Sequence, residues 1–319
     1  MPTTRSASPT SRSSLAYPEE AGSVSTPDVQ PAGLAVWWLA IRPRTLGAGL
    51  VPVAVGLAVA SRAGAIDVPV ALVTLVAALL LQIATNLAND YFDARSGVDD
   101  VDRLGPVRVT QAGLASPRAV MRALVAVVGL ALACGVYLVA HGGLPILVVG
   151  ALSVLTAIAY SAGPWPLSWY GLGDLLAFTF FGVVAVCGTY FLQRHALHGA
   201  AIAASLPVGC LVTALIVVNN LRDIPSDRRS GKRTLAVRIG ERGTRLEYAS
   251  LVVVAYVLTA ALALVTSPAV GAVALTVPVA VNEVRRLQQR DGAELNLSLA
   301  GTARLHLLFG SLLTLGLAV

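Results

Sequence analysis

Nine stretches of this 319-residue chain are apolar over the length a helix needs to cross a bilayer, or nearly so. They lie near 45–61, 69–92, 119–140, 144–161, 174–192, 200–221, 246–265, 269–287 and 302–319. A crossing takes about 20 helical residues. Inside lipid every backbone N–H and C=O must be bonded within its own segment, so runs of this length are expected to be α-helices. Hydrophobic residues make up 56% of the chain, charged residues 13%, and the mean hydropathy is +0.75. These values lie outside the range of soluble domains and inside the membrane class. The fold class expected is therefore an all-α integral membrane protein of about nine transmembrane helices.

Residues 1–33 are rich in Ser, Thr, Pro and Ala without an apolar period, and read as a disordered tail ahead of a 34–319 membrane domain. No apolar core of a signal peptide precedes Leu34, so a cleaved leader is not expected. Trp37, Trp38 and Arg42-Pro43-Arg44 read as an interfacial lead-in to the first span. Runs three and four, and seven and eight, are joined so tightly that each pair is expected to be a helical hairpin. With the N-terminus in the cytoplasm, only Arg62 and Arg194 of the 23 Lys and Arg residues fall on the far side. Positive charge is retained on the cytoplasmic side of membrane proteins, which favours that orientation. The net charge of +6 is explained this way, and without basic tracts interleaved with aromatics nucleic acid is not an expected partner. Cys134, Cys187 and Cys210 all fall in apolar runs without ligand spacing and read as small buried hydrophobes. The four histidines carry no ligand spacing either.

Two of the apolar runs end alike. The second closes on Asn86-Leu87-Ala88-Asn89-Asp90-Tyr91-Phe92-Asp93, where Asn86, Asp90 and Asp93 share one helix face. The sixth closes on Asn219-Asn220-Leu221-Arg222-Asp223-Ile224-Pro225-Ser226-Asp227, with Asn219 standing to Asp223 as Asn86 does to Asp90. Carboxylates at the edge of a membrane helix are costly to desolvate without a cation. One such cluster is ordinarily a solvated helix end paired with nearby arginines. Two matching clusters, at one membrane face and in a loosely duplicated chain, point to a shared site between the halves. Asp90, Asp93, Asp223 and Asp227 are hard oxygen donors of the kind Mg²⁺ uses together with phosphate oxygens.

The loops beyond the clusters are basic. Arg228-Arg229-Ser230-Gly231-Lys232-Arg233 follows the second, and reads either as a positive-inside loop touching anionic lipid or as a segment whose Lys232 and Arg233 close over a diphosphate. Arg103-Leu104-Gly105-Pro106-Val107-Arg108-Val109-Thr110-Gln111 follows the first, and reads either as a plain turn or as a segment carrying Arg108 toward the site. Asp174, opening run five, is placed equally for capping a helix or meeting a substrate. No Gly-rich triphosphate loop is present.

These motifs resemble the UbiA superfamily of intramembrane prenyltransferases, most closely the 1,4-dihydroxy-2-naphthoate polyprenyltransferase type. The resemblance is carried by Asn86–Asp93, by Arg103–Thr110, by Gly163-Pro164-Trp165-Pro166-Leu167 with Gly171-Leu172-Gly173-Asp174, and by Asn219–Arg229 with Gly231–Val237. Asp174 departs from the Glu common in the family. The resemblance implies helices around a central cavity, with Asp90, Asp93, Asp223 and Asp227 holding Mg²⁺ at its cytoplasmic mouth. Asn86, Asn89, Arg108, Asn219, Lys232 and Arg233 would meet the substrate. It implies transfer of an all-trans polyprenyl group from polyprenyl diphosphate to 1,4-dihydroxy-2-naphthoate, with loss of CO₂ and diphosphate, giving a demethylmenaquinol for menaquinone synthesis. The setting implied is a bacterial-type inner cell membrane with the active site facing the cytoplasm and the lipid bilayer as a partner. The residues leave three other readings open: a relative using a different aromatic acceptor, an ion-coupled transporter, and a non-catalytic assembly factor.

Overall fold

The structure is a computed structural model, and it describes residues 33–96, 104–161 and 166–319. The tail read at 1–33 therefore falls, but for Gly33, outside the described residues, as do Arg103 and Gly163-Pro164-Trp165. Among the described residues every regular element is a helix.

The lead-in around Trp37 and Trp38 is helical. It forms α1 (Leu34–Ile41), which ends where Arg42 takes a left-handed conformation (φ 54°) and returns its N–H to the Leu39 carbonyl at 3.3 Å. A 3₁₀ turn over Pro43–Thr45 leads into α2 (Gly47–Ser61), and the two parts meet at a bend of 49°. Then come α3 (Val68–Ser96), α4 (Pro117–Ala159), α5 (Gly173–Ala177), a π-helical stretch (Phe178–Val184) and α6 (Ala185–Arg194). The rest is α7 (Gly199–Arg229), α8 (Leu235–Val265), a 3₁₀ stretch (Pro268–Thr276), α9 (Val277–Gln289), a short 3₁₀ turn (Gly292–Glu294) and α10 (Leu295–Ala318).

Six of these are long and apolar enough to cross a membrane, or seven if the bent α1–α2 pair is one crossing. The nine expected runs map onto these elements with two local differences. Runs three and four are two helices, carried together as α4, that break at Gly143, whose φ of 69° and ψ of −157° suit glycine rather than a side-chain-bearing residue. Run eight is broken into a 3₁₀ and an α part after Pro268. Run nine begins earlier than 302, because Asn296, Ser298 and Thr302 depress its hydropathy while facing inward; Ser298 and Thr302 are buried.

The helices divide by what they face. In α7, 78% of the apolar stretch is buried, against 17% in α4, so α7 is the central post and α4 turns its aliphatic side chains outward. Val125, Leu144, Leu152 and Leu155 of α4 are all exposed, as lipid-facing residues are. Where helices touch most closely the residues are small: a Cβ on Gly182 of the π stretch would collide with Gly209 of α7. Close backbone approach through small residues is how helices pack when lipid gives no hydrophobic drive to associate. At the end remote from the acidic clusters, Arg194 donates to the carbonyls of Ala60 (3.0 Å) and Ala65 (3.1 Å), pinning the α2–α3 connection. Both acidic clusters lie at the opposite end, at the C-termini of α3 and α7.

Candidate active site

A cavity of about 990 Å³ runs between the helices. Its wall is largely aliphatic and aromatic, from residues such as Leu81, Leu138, Phe180 and Leu215. Its polar end is made of amides, hydroxyls and guanidiniums: Asn86, Asn89, Asn219, Tyr160, Arg222 and Asn296. Three of the four asparagines of the duplicated motifs thus reach the cavity. The four motif aspartates are not part of its lining and sit just behind that polar end.

The α3 cluster is built into its surroundings. Asn86 donates through Nδ2 to the Ile41 carbonyl at 2.8 Å and the Thr45 hydroxyl at 2.9 Å, and its Oδ1 accepts from Gln82 at 3.4 Å. The α1–α2 turn is what holds this amide in place. Asp90 is fully buried, and its two oxygens accept from the backbone N–H groups of Val109 and Thr110, each at 2.9 Å. The loop beginning at Leu104 is thereby folded back onto the helix it follows. Arg108 in that loop pairs with Asp93 at 2.7 Å, both side chains buried, and also donates to the Asn89 carbonyl. Ser161 donates to the Asn89 side-chain oxygen.

The α7 cluster is wired differently. Arg222 turns both arms of its guanidinium onto its neighbour Asp223, Nε to Oδ1 and Nη2 to Oδ2, each at 2.8 Å. Asp227 is buried; Lys232 Nζ stands 3.5 Å from its Oδ1, the Thr234 hydroxyl donates to Oδ2 at 3.4 Å, and the Lys232 N–H donates to its carbonyl at 2.8 Å. Thr234 also caps α8 by accepting from Val237 N–H at 3.3 Å. Arg233 is exposed, and its backbone N–H donates to the Trp169 carbonyl at 2.9 Å. Gly171 lies beneath this strap with φ 73°, and a Cβ there would press on Leu235 N and Arg233 O at 3.2 and 3.3 Å.

Tyr160 joins the two clusters electrostatically. Burial first, and then the negative fields of Asp174, Asp93 and Asp227, push its phenol above the usual tyrosine range. One hydroxyl at the cavity wall therefore feels carboxylates from the ends of α3 and α7 and from the start of α5. It stays protonated at neutral pH and is available as a donor. Asp174 itself is buried, accepts from Asn220 at 3.4 Å and carries its carbonyl toward the Thr213 hydroxyl at 3.5 Å.

Among the described residues no three His, Cys, Asp or Glu side chains gather closely enough to hold an ion by themselves. Two hard-oxygen carboxylates in each cluster suit a cation that completes its shell with water and phosphate oxygens. Cys187 and Cys210 are buried and Cys134 partly so, all three as free thiols.

The chain matches the model of the UbiA prenyltransferase family over residues 49–309. It belongs to that family. Among its curated relatives is the 1,4-dihydroxy-2-naphthoate octaprenyltransferase of Escherichia coli (strain K12), 42% identical over 67% of this chain and 72% of the relative. The protein of the same name from Bacillus subtilis (strain 168) is 30% identical over 92% of this chain and 96% of that one. The UbiA fold recurs in the structure of a UbiA homologue from Archaeoglobus fulgidus bound to GPP and Mg²⁺, with a TM-score of 0.62 at 18% identity, covering 89% of this chain and all of that one.

Residues outside the expected site set hold these amides or line the cavity's polar end. Thr45 and Ile41 hold Asn86, Ser161 holds Asn89, and Arg222 and Asn296 occupy the cavity end beside Asn219. Of these Arg222 carried a signal, as a basic residue within the second acidic motif, next to Asp223.

Proposed function

We propose that this UbiA-family protein transfers an all-trans polyprenyl group from its diphosphate to 1,4-dihydroxy-2-naphthoate, releasing CO₂ and diphosphate and giving a demethylmenaquinol. The single observation that carries the reading is one largely apolar cavity whose polar end is lined by Asn86 and Asn89 from the end of α3 and by Asn219 from the end of α7, the two helix ends that carry the aspartates. Relatives bearing the octaprenyltransferase name over most of the chain's length support the acceptor class.

Asp90, Asp93, Asp223 and Asp227 would hold Mg²⁺, which when bound supplies charge neutralisation for a departing diphosphate. Lys232 and Arg108 stand beside these carboxylates and add fixed positive charge at the same place. Asn86, Asn89 and Asn219 present amides at the cavity end, suited to orienting phosphate or phenol oxygens without adding charge. The aliphatic wall accommodates the isoprenoid and keeps water from the allylic carbon as its C–O bond breaks. The ring carbon bearing the carboxylate takes the prenyl group, and loss of CO₂ restores aromaticity. Tyr160, protonated and facing the cavity, is placed to donate to an acceptor oxygen.

The same reading sets the chain in a bacterial-type inner membrane with a cytoplasmic N-terminus and site. Nine crossings follow if α4 is divided at Gly143, α1–α2 counts once, α5 to α6 once, and 268–289 once. Arg42, Arg44, Arg95, Arg108 and the 228–245 arginines would then share the cytoplasmic side. The experiment is incubation of the purified protein with dihydroxynaphthoate, a polyprenyl diphosphate and Mg²⁺. The expected result is prenylated lipid and CO₂ in equal amounts, both abolished by EDTA. Counterflow of a solute in proteoliposomes without any prenylated product would overturn the reading in favour of transport.

A further inference from the structure

Asn296, near the start of α10, makes two hydrogen bonds in opposite directions. Its Oδ1 accepts from Arg222 Nη1 at 2.8 Å, and its Nδ2 donates to the Leu104 carbonyl at 2.6 Å. Arg222 is buried inside α7 and spends its other two donor positions on the two oxygens of Asp223. Leu104 opens the loop whose Val109 and Thr110 amides are held by Asp90 and whose Arg108 is paired with Asp93. One amide therefore closes a continuous chain of polar contacts: Asp223 to Arg222, to Asn296, to the Leu104 loop, and so to Asp90 and Asp93.

The geometry points to Asn296 as a positioning residue that fixes the two acidic clusters relative to each other. It rests on the proposed function for what those clusters bind. An amide fits this place for a chemical reason. The Arg222 side needs an acceptor and the Leu104 side needs a donor, and a primary amide offers both in one rigid plane. A carboxylate keeps the acceptor and loses the donor, and an aliphatic side chain loses both. The two partners also fix which way the amide is turned, since only Oδ1 toward the guanidinium satisfies both contacts. Asn296 and Arg222 both line the cavity end, so the link passes along the wall of the site. The buried hydroxyls of α10, Ser298 and Thr302, bond elsewhere, to Arg290 and Tyr248.

The test uses the full chain in nanodiscs with Asn296→Ala and Asn296→Asp. Hydrogen exchange of the 104–113 amides is read without substrate, and binding of geranyl diphosphate with Mg²⁺ is read by calorimetry. Both variants lose the bond to Leu104, so the Val109 and Thr110 amides should exchange faster by roughly tenfold, as expected for a lost hydrogen bond. Only Asn296→Ala also releases Arg222, so its diphosphate affinity and its kcat should fall by on the order of tenfold or more, against a smaller loss in Asn296→Asp. The KM for the aromatic acceptor should stay within about twofold in both, because the acceptor is not what the link positions. Wild-type exchange rates in both variants would overturn the inference, as would equal losses of diphosphate affinity in the two. If Asn296→Ala does not fold, Asn296→Asp still decides through the exchange of the loop. A wild-type protein that yields no prenylated naphthoate would contradict the proposed function and leave the substrate-free exchange result to judge this link alone.

Discussion

The clusters at the ends of α3 and α7 repeat the Asn-to-Asp step of four residues and solve the same electrostatic problem by different means. At the end of α3 the carboxylates are held by a loop: Asp90 takes two backbone amides and Asp93 takes Arg108. At the end of α7 the partners are closer in sequence, with Arg222 beside Asp223 and Lys232 just beyond Asp227. Asp90, Asp93 and Asp227 are buried, while the side chain of Asp223 keeps 23% of its surface exposed. The first cluster thus organises the protein around itself as much as it serves a substrate, and Asp223 is the carboxylate most open to exchange of partners. Matching spacing in a duplicated chain fixes where carboxylates go and leaves their counter-ions free to diverge.

The comparison makes its largest demand on activity. Asp93→Asn and Asp227→Asn should each lower turnover by about a thousandfold or more, since each removes charge where a diphosphate departs. Radiolabelled prenyl transfer measures this, and near-normal turnover by either variant would break the symmetry of roles. Next comes stability. Arg108→Ala leaves Asp93 buried beside a lost cation and should cost roughly 3 kcal/mol, in the range for breaking a buried pair. Lys232→Ala removes a longer, partly exposed contact and should cost about 1 kcal/mol or less. Thermal unfolding in detergent ranks the two, and equal losses would erase the distinction between loop-held and helix-held clusters. The smallest effect is at Tyr160. Tyr160→Phe should raise the acceptor KM by about threefold, the scale of one modest hydrogen bond. Because burial and three carboxylates raise its pKa, the wild-type phenol gives no loss of activity from its own ionisation up to about pH 10, the ordinary tyrosine value. A wild-type alkaline limb below that pH, absent in Tyr160→Phe, would contradict its being a fixed donor.

Much of this was legible in the chain. Apolar length gave the helices, because a span must close its own backbone bonds. The i, i+4, i+7 spacing put Asn86, Asp90 and Asp93 on one face of α3, and the matching motif marked the end of α7. What stayed hidden is tertiary. Thr45 and Ile41 under Asn86 and Asn296 against Arg222 share no period with their partners and lie far from them in sequence. The early start of α10 was masked for a related reason: Asn296 lines the cavity and Ser298 is buried, and hydropathy reads both as water-facing. The pairing of Asp90 with two backbone amides leaves no trace in side-chain identity, so Val109 and Thr110, although within the Arg103–Thr110 motif, gave no sign of that contact.

The most direct trial of the shared site is calorimetric binding of geranyl diphosphate with Mg²⁺ to the wild type, Asp93→Asn, Asp227→Asn and the double variant. One site served by both helix ends predicts that each single change weakens binding by tenfold or more, and that the double variant loses less than the product of the two. Wild-type affinity in either single variant, or losses that simply multiply, would contradict it.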